Sequence, residues 1–155
     1  AKWTEFDLVK REWRIPAERM KSRAEHLVPL STQALAALKQ LQEITGGREH
    51  VFPNEHHPVK PMSENTILFA LYRMGYRGRA TGHGFRATAS TILNEQGWDA
   101  DVIERQLAHK EANKVRAAYH HSEYLAERRK LMQAWANYLD ASKLGAEVIP
   151  LRRSG

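Results

Sequence analysis

Apolar and polar residues alternate in two stretches near the start of the chain, Glu12-Trp13-Arg14-Ile15-Pro16 and Glu25-His26-Leu27-Val28-Pro29-Leu30. That period of two belongs to half-buried strands. The prolines suit strand ends or edge positions. Between the stretches lies Arg19-Met20-Lys21-Ser22-Arg23, polar and basic. Together they predict an antiparallel hairpin with a cationic tip. Trp3, Phe6 and Leu8 read as a strand already under way, with no start signal before it. A chain cut from a longer protein is therefore expected.

After residue 30 the period becomes helical. Ser31-Thr32-Gln33 supplies a capping hydroxyl, Leu35, Leu38 and Leu41 share one face, and Gly46-Gly47 ends the helix. His50 through Pro61 is a loop rich in proline and histidine. Ser63-Glu64-Asn65 is expected to cap a second helix with Ile67, Leu68, Leu71 and Met74 at helical spacing, followed by a Gly/Arg-rich loop over 75–82. A third helix spans Gly84 to Gln96, with Phe85, Ala89, Ile92 and Leu93 as its buried face, and Gly97 stops it. Asp99 caps a short helix carrying Val102, Ile103 and Leu107, and Val115, Ala118 and Tyr119 fall in a further short segment. Ser122 caps a long last helix with Tyr124, Leu125, Leu131, Met132, Trp135 and Leu139. The expected class is mainly α with a small antiparallel β-hairpin or sheet near the N-terminus (α+β). The expected division is 1–140 as one domain and 141–155 as a basic flexible tail.

The 155 residues suit one domain with a real core. No run reaches the roughly 18–20 apolar residues of a membrane span, and the N-terminus lacks a signal-peptide pattern. With no cysteine, disulfides and thiolate metal sites are excluded. A net charge of +6 and a pI near 9.7 make nucleic acid a serious candidate partner. Arginine is prominent among the cations, and its planar fork suits phosphate.

His83 and Arg86 stand three apart at the start of a helix, on one face. The helix N-terminus adds partial positive charge and free N–H groups, so phosphate fits there. Arg73, Arg77 and Arg79 precede it closely. Each residue also has a blander reading. H-x-x-R pairs arise by chance on solvated helices. His109, beside Lys110, could simply interact with a helix dipole, Tyr119 could be a core tyrosine, and Lys21 a solvated turn lysine. His26, His50, His56, His57, His120 and His121 have no zinc-like spacing, and no metal site is expected.

In combination these residues resemble the tyrosine recombinases, or phage integrases. The resemblance rests on Gly82-His83-Gly84-Phe85-Arg86-Ala87-Thr88-Ala89-Ser90-Thr91, Gln106-Leu107-Ala108-His109-Lys110, Val115-Arg116-Ala117-Ala118-Tyr119 and Tyr124-Leu125-x-x-Arg128-Arg129. Trp13 to Lys21 and Val28-Pro29-Leu30-Ser31 are similar to the hairpin of satellite-phage and prophage integrases. The likeness runs from Ala1 to about Asp140.

It implies a tyrosine-recombinase catalytic-domain fold. It also implies site-specific DNA recombination, in prophage integration and excision, through a 3′-phosphotyrosyl intermediate. The implied catalytic residues are Lys21, His83, Arg86, His109 and the nucleophile Tyr119. Tyr119 follows His109 by ten residues, where nine is common in the family, so Tyr124 stays as the alternative. Arg19, Arg23, Arg77, Arg79 and Lys110 are the expected DNA contacts. No cofactor is implied. The expected partner is double-stranded DNA carrying attachment sites, bound by a homotetramer of the full-length protein in the bacterial cytoplasm, with no membrane. The family's first-box arginine and upstream DNA-binding domain have no counterpart here, so this part alone is expected to be inactive. The alternative is a non-catalytic helix-turn-helix-like DNA-binding module built from Ser90 to Leu107.

Overall fold

The computed structural model describes residues 1–108 and 124–145. Its first layer is a three-stranded antiparallel sheet, β1 (Phe6–Asp7), β2 (Glu12–Ile15) and β3 (His26–Pro29), in the order β1-β2-β3. Trp13 pairs with Phe6 on one side and with Val28 on the other. The expected hairpin is thus β2–β3. The opening segment is a short 3-10 helix, Trp3–Glu5, that turns into β1 instead of a continuous strand. The Phe6 and Trp13 rings stack 5.3 Å apart. Trp13 Nε1 donates to Glu5 Oε2 at 2.9 Å. Glu12 is buried because Arg129 reaches its Oε1 at 2.5 Å, which links the sheet to the end of the chain.

Helix α1 (Thr32–Thr45) starts where its cap predicts, with Ser31 Oγ accepting from the Ala34 N–H at 3.2 Å. Gly46 closes it with right-handed φ, so no left-handed glycine is used there. Helix α2 (Thr66–Arg73) begins later than Ser63 suggests. Asn65 is its N-cap and makes no side-chain capping bond, while Ser63 Oγ accepts from the Asn65 N–H. Of the four apolar residues expected on one face, only Leu71 is buried, and Ile67 and Met74 are exposed. Helical periodicity marks an apolar face, but burial requires a neighbour, and no described element covers that side of α2.

Helix α3 (Gly82–Glu95) starts two residues before the expected position because Thr81 Oγ1 accepts from the Gly84 N–H at 3.0 Å. Phe85, expected in the buried face, is 55% exposed, and burial on α3 concentrates at Leu93. Gly97, at φ +78°, makes the left-handed turn that leads into α4 (Ala100–Gln106). Asp99 caps α4, accepting from the Asp101 and Val102 N–H groups.

Helix α5 (Leu125–Lys143) is entered through Tyr124 in left-handed conformation. Tyr124 is therefore the N-cap, in place of Ser122, which lies outside the described residues with the 115–119 segment. The helix continues through Lys143, past the expected boundary at 140. Leu139 is 48% exposed instead of buried.

The core consists of Leu93 from α3, Val102 and Ile103 from α4 and Leu131 from α5, with Trp98, Leu107, Tyr124, Met132 and Trp135 packed around them. Helix α5 lies against α1, α4 and β3. Its seam with α1 is polar, with Gln133 Oε1 accepting from the Thr32 N–H at 2.9 Å and Gln33 Nε2 donating to Asp140. The fold is thus mainly helical with a small sheet at its start, as the patterning predicts. No described helix is long and apolar enough to cross a membrane.

Candidate active site

Helix α3 presents His83 and Arg86 in its first turn, His83 exposed and Arg86 half-buried. The Arg86 guanidinium donates to the Leu107 carbonyl at the end of α4. The last carbonyls of a helix lack intrahelical partners, so a cation there is doubly favoured. Ala108 follows at φ +51°, an uncommon left-handed alanine. The next residue is His109. The two sequence boxes therefore meet through the turn that leads into His109. His109, Lys110 and Tyr119 themselves lie outside the described residues.

Beneath this turn is a cluster to which the motifs assign no catalytic role, although Arg128 stands in one of them. His26, the first residue of β3, is 6% exposed, and its Nε2 lies 3.2 Å from the Gln106 carbonyl oxygen. Arg128, 2% exposed on α5, donates from Nε to Gln106 Oε1 at 2.9 Å and from its guanidinium to the Leu27 carbonyl. Arg105 Nε is buried without a hydrogen-bond partner among the described residues. Burial, and next the Arg128 charge, push the His26 pKa down from 6.5 to about 4, so the ring is neutral at pH 7. Burial, with Arg105 nearby, lowers Arg128 from 12.5 to about 10, and it stays charged at pH 7. One signal for Arg128 was available, because it stands three residues before Leu131 on the apolar side of α5.

Lys21 and Arg23 are exposed in the β2–β3 connection, Arg23 at φ +53°. Arg19 is at the base of that connection and pairs with Glu5. Burial opposes ionisation of Glu5, but hydrogen bonds from Trp13 and Arg19 hold its pKa below the usual carboxylate value. Arg77 and Arg79 are exposed in the α2–α3 loop, stacked over Tyr72 at 5.4 Å and Tyr76 at 5.8 Å. Such stacking orders a guanidinium and leaves its edge for an anion. The alternative nucleophile, Tyr124, packs against the core cluster. Among the described residues no group of three or more His, Asp or Glu is placed to hold a metal.

Residues 1–125 match the profile described as the phage integrase family. The chain belongs to that family. It is 50% identical to the integrase of Enterobacteria phage P4, over 92% of this chain and 36% of that protein. It is 47% identical to the prophage integrase IntA of Escherichia coli strain K12, over 96% of this chain and 36% of IntA. It is 44% identical to the integrase of Shigella phage Sf6, over 89% and 36% of the two chains. The chain thus spans about a third of the length of these integrases. No solved structure matches it.

Proposed function

We propose that this chain is the C-terminal part of the catalytic domain of a tyrosine recombinase that integrates and excises a prophage at DNA attachment sites. The observation that carries the reading is the bond from Arg86 to the Leu107 carbonyl, which joins the His83/Arg86 helix to the turn before His109. Family membership and the integrase names of its relatives point the same way.

In this reading the Tyr119 oxygen attacks a backbone phosphorus. A phosphotyrosyl bond forms to the 3′ side as the bond to the 5′ oxygen breaks. Lys21 protonates the departing oxygen, which leaves as a 5′-hydroxyl, and His83 assists removal of the phenolic proton. Arg86 and His109 hold the non-bridging oxygens as charge builds. A 5′-hydroxyl of another strand then attacks the phosphotyrosine and releases the tyrosine. The covalent intermediate divides one difficult displacement into two easier ones and keeps the bond energy, so no nucleotide cofactor is consumed.

Arg23, Arg77, Arg79 and Lys110 contact the DNA backbone around the site, together with Arg19 when it exchanges Glu5 for phosphate. The working enzyme is a homotetramer on two DNA sites in the bacterial cytoplasm, and residues after Ala141 contribute to its subunit contacts. Residues 1–155 alone bind DNA weakly and are inactive.

Covalent trapping tests this directly. The protein, extended upstream to the length of its relatives, is incubated with nicked suicide substrates carrying candidate attachment sites and run on denaturing gels. An adduct lost with Tyr119→Phe alone supports both chemistry and nucleophile. Loss with Tyr124→Phe alone moves the nucleophile. DNA binding with no adduct from any version turns the reading to a non-catalytic DNA-binding module.

A further inference from the structure

We infer that His26 is a positioning residue for strand cleavage: it holds the Gln106 carbonyl so that the turn after α4, whose Leu107 carbonyl accepts from Arg86, sets the Arg86 guanidinium for the phosphate. The inference rests on the recombinase reading above.

A carbonyl oxygen only accepts, so the 3.2 Å contact from His26 Nε2 requires that this nitrogen carry the proton. Adjacent carbonyls at the end of α4 are then held from two different elements. His26 on β3 holds that of Gln106, and Arg86 on α3 holds that of Leu107. Arg128 closes the arrangement from α5 through the Gln106 side chain and the Leu27 carbonyl. A left-handed alanine, Ala108, follows at once. Such a conformation persists when its surroundings over-determine it, and the two carbonyl contacts do this from the N-terminal side. Among the described residues, the charged groups facing His26 are Arg86 on α3, Arg105 on α4 and Arg128 on α5. A further cation at this position would be repelled by all three, whereas a neutral imidazole can donate one hydrogen bond among them. A merely space-filling residue would need no donor aimed at this carbonyl.

Two substitutions separate the donor from the packing. The amide nitrogen of glutamine falls near the position of imidazole Nε2, and that of asparagine near Nδ1. His26→Gln therefore keeps the donor to Gln106, and His26→Asn removes it while remaining polar and small enough to fit. The assay is single-turnover adduct formation with saturating suicide DNA in the upstream-extended protein, beside DNA affinity and circular dichroism. His26→Asn is expected to cleave on the order of 10–100-fold more slowly with unchanged DNA affinity, the scale of an ångström misplacement of catalytic groups. His26→Gln restores most of the rate. With a 5′-bridging phosphorothiolate, whose sulfur leaves without needing a proton, the His26→Asn defect persists, because the fault lies at the phosphate oxygens. Its disappearance on that substrate would place the effect at Lys21 and overturn the inference. Equal rates for the two variants, or a loss confined to DNA affinity, would also overturn it. No adduct from the unsubstituted protein would sink the recombinase reading, and this inference with it. A wild-type adduct with an unimpaired His26→Asn variant would sink the inference alone.

Discussion

Acid should weaken this fold through a single histidine. In the unfolded chain His26 takes up a proton as pH falls through 6.5, whereas in the folded chain burial, with Arg128 beside it, delays this to about pH 4. Between those values the unfolded state binds more protons, so stability falls as pH falls, and the full benefit is present above about 6.5. At pH 5 the two pKa values give a loss of about 2 kcal/mol, and below pH 4 it levels off near about 3 kcal/mol. Against a typical total of about 5–15 kcal/mol, that is a large fraction. With a urea slope of about 2 kcal/mol per molar, the unfolding midpoint should drop by about 1 M between pH 7 and pH 5. The assay is urea unfolding followed by circular dichroism at both pH values, for wild type and His26→Gln. Glutamine cannot titrate, so the variant should lose most of this drop. Carboxylates with lowered pKa, such as Glu5, act in the same direction but at lower pH, and cancel between the two proteins. An equal midpoint drop in wild type and His26→Gln would refute the assignment of the acid sensitivity to this ring.

Arg128→Ala leaves the Leu27 carbonyl and Gln106 Oε1 without their donor, at about 1–3 kcal/mol per acceptor, partly offset by losing a desolvated charge beside Arg105. A net destabilisation of about 2 kcal/mol is expected in thermal unfolding, and a neutral result would mean that the cluster is not a fastening point. Leu131→Ala, at a fully buried position between α4 and α5, should cost about 2–5 kcal/mol by chemical denaturation, whereas Leu139→Ala at the exposed end should stay within about 0.5 kcal/mol. Replacing Arg77 and Arg79 together by alanine should weaken DNA binding and reduce the slope of log affinity against log salt by about 2. An unchanged slope would remove the α2–α3 loop from the DNA contact surface.

The sequence by itself determined most of the elements and the motif set, though not every boundary. Period-two alternation located the β2–β3 hairpin, and Ser31 and Asp99 marked the starts of α1 and α4, because caps and alternation are local physics. Gly97 marked the turn between α3 and α4 for the same reason, since few residues other than glycine accept its φ cheaply. The boxes around His83 and His109 identified the family, because side-chain chemistry at fixed spacing survives without knowledge of packing. Burial was decided only in three dimensions. Phe85 and Ile67 lie on helical faces that the pattern marks as buried, yet both are exposed, since an apolar stripe is covered only if another element reaches it. Arg128 and His26 ran the other way. Polar side chains are expected at the surface, and these two are buried because β3, α4 and α5 converge there, His26 on the Gln106 carbonyl and Arg128 on the Gln106 side chain and the Leu27 carbonyl. The His26–Gln106 contact joins residues 80 apart in sequence and the Arg128–Leu27 bond residues 101 apart, and no local rule reads a bond across such distances.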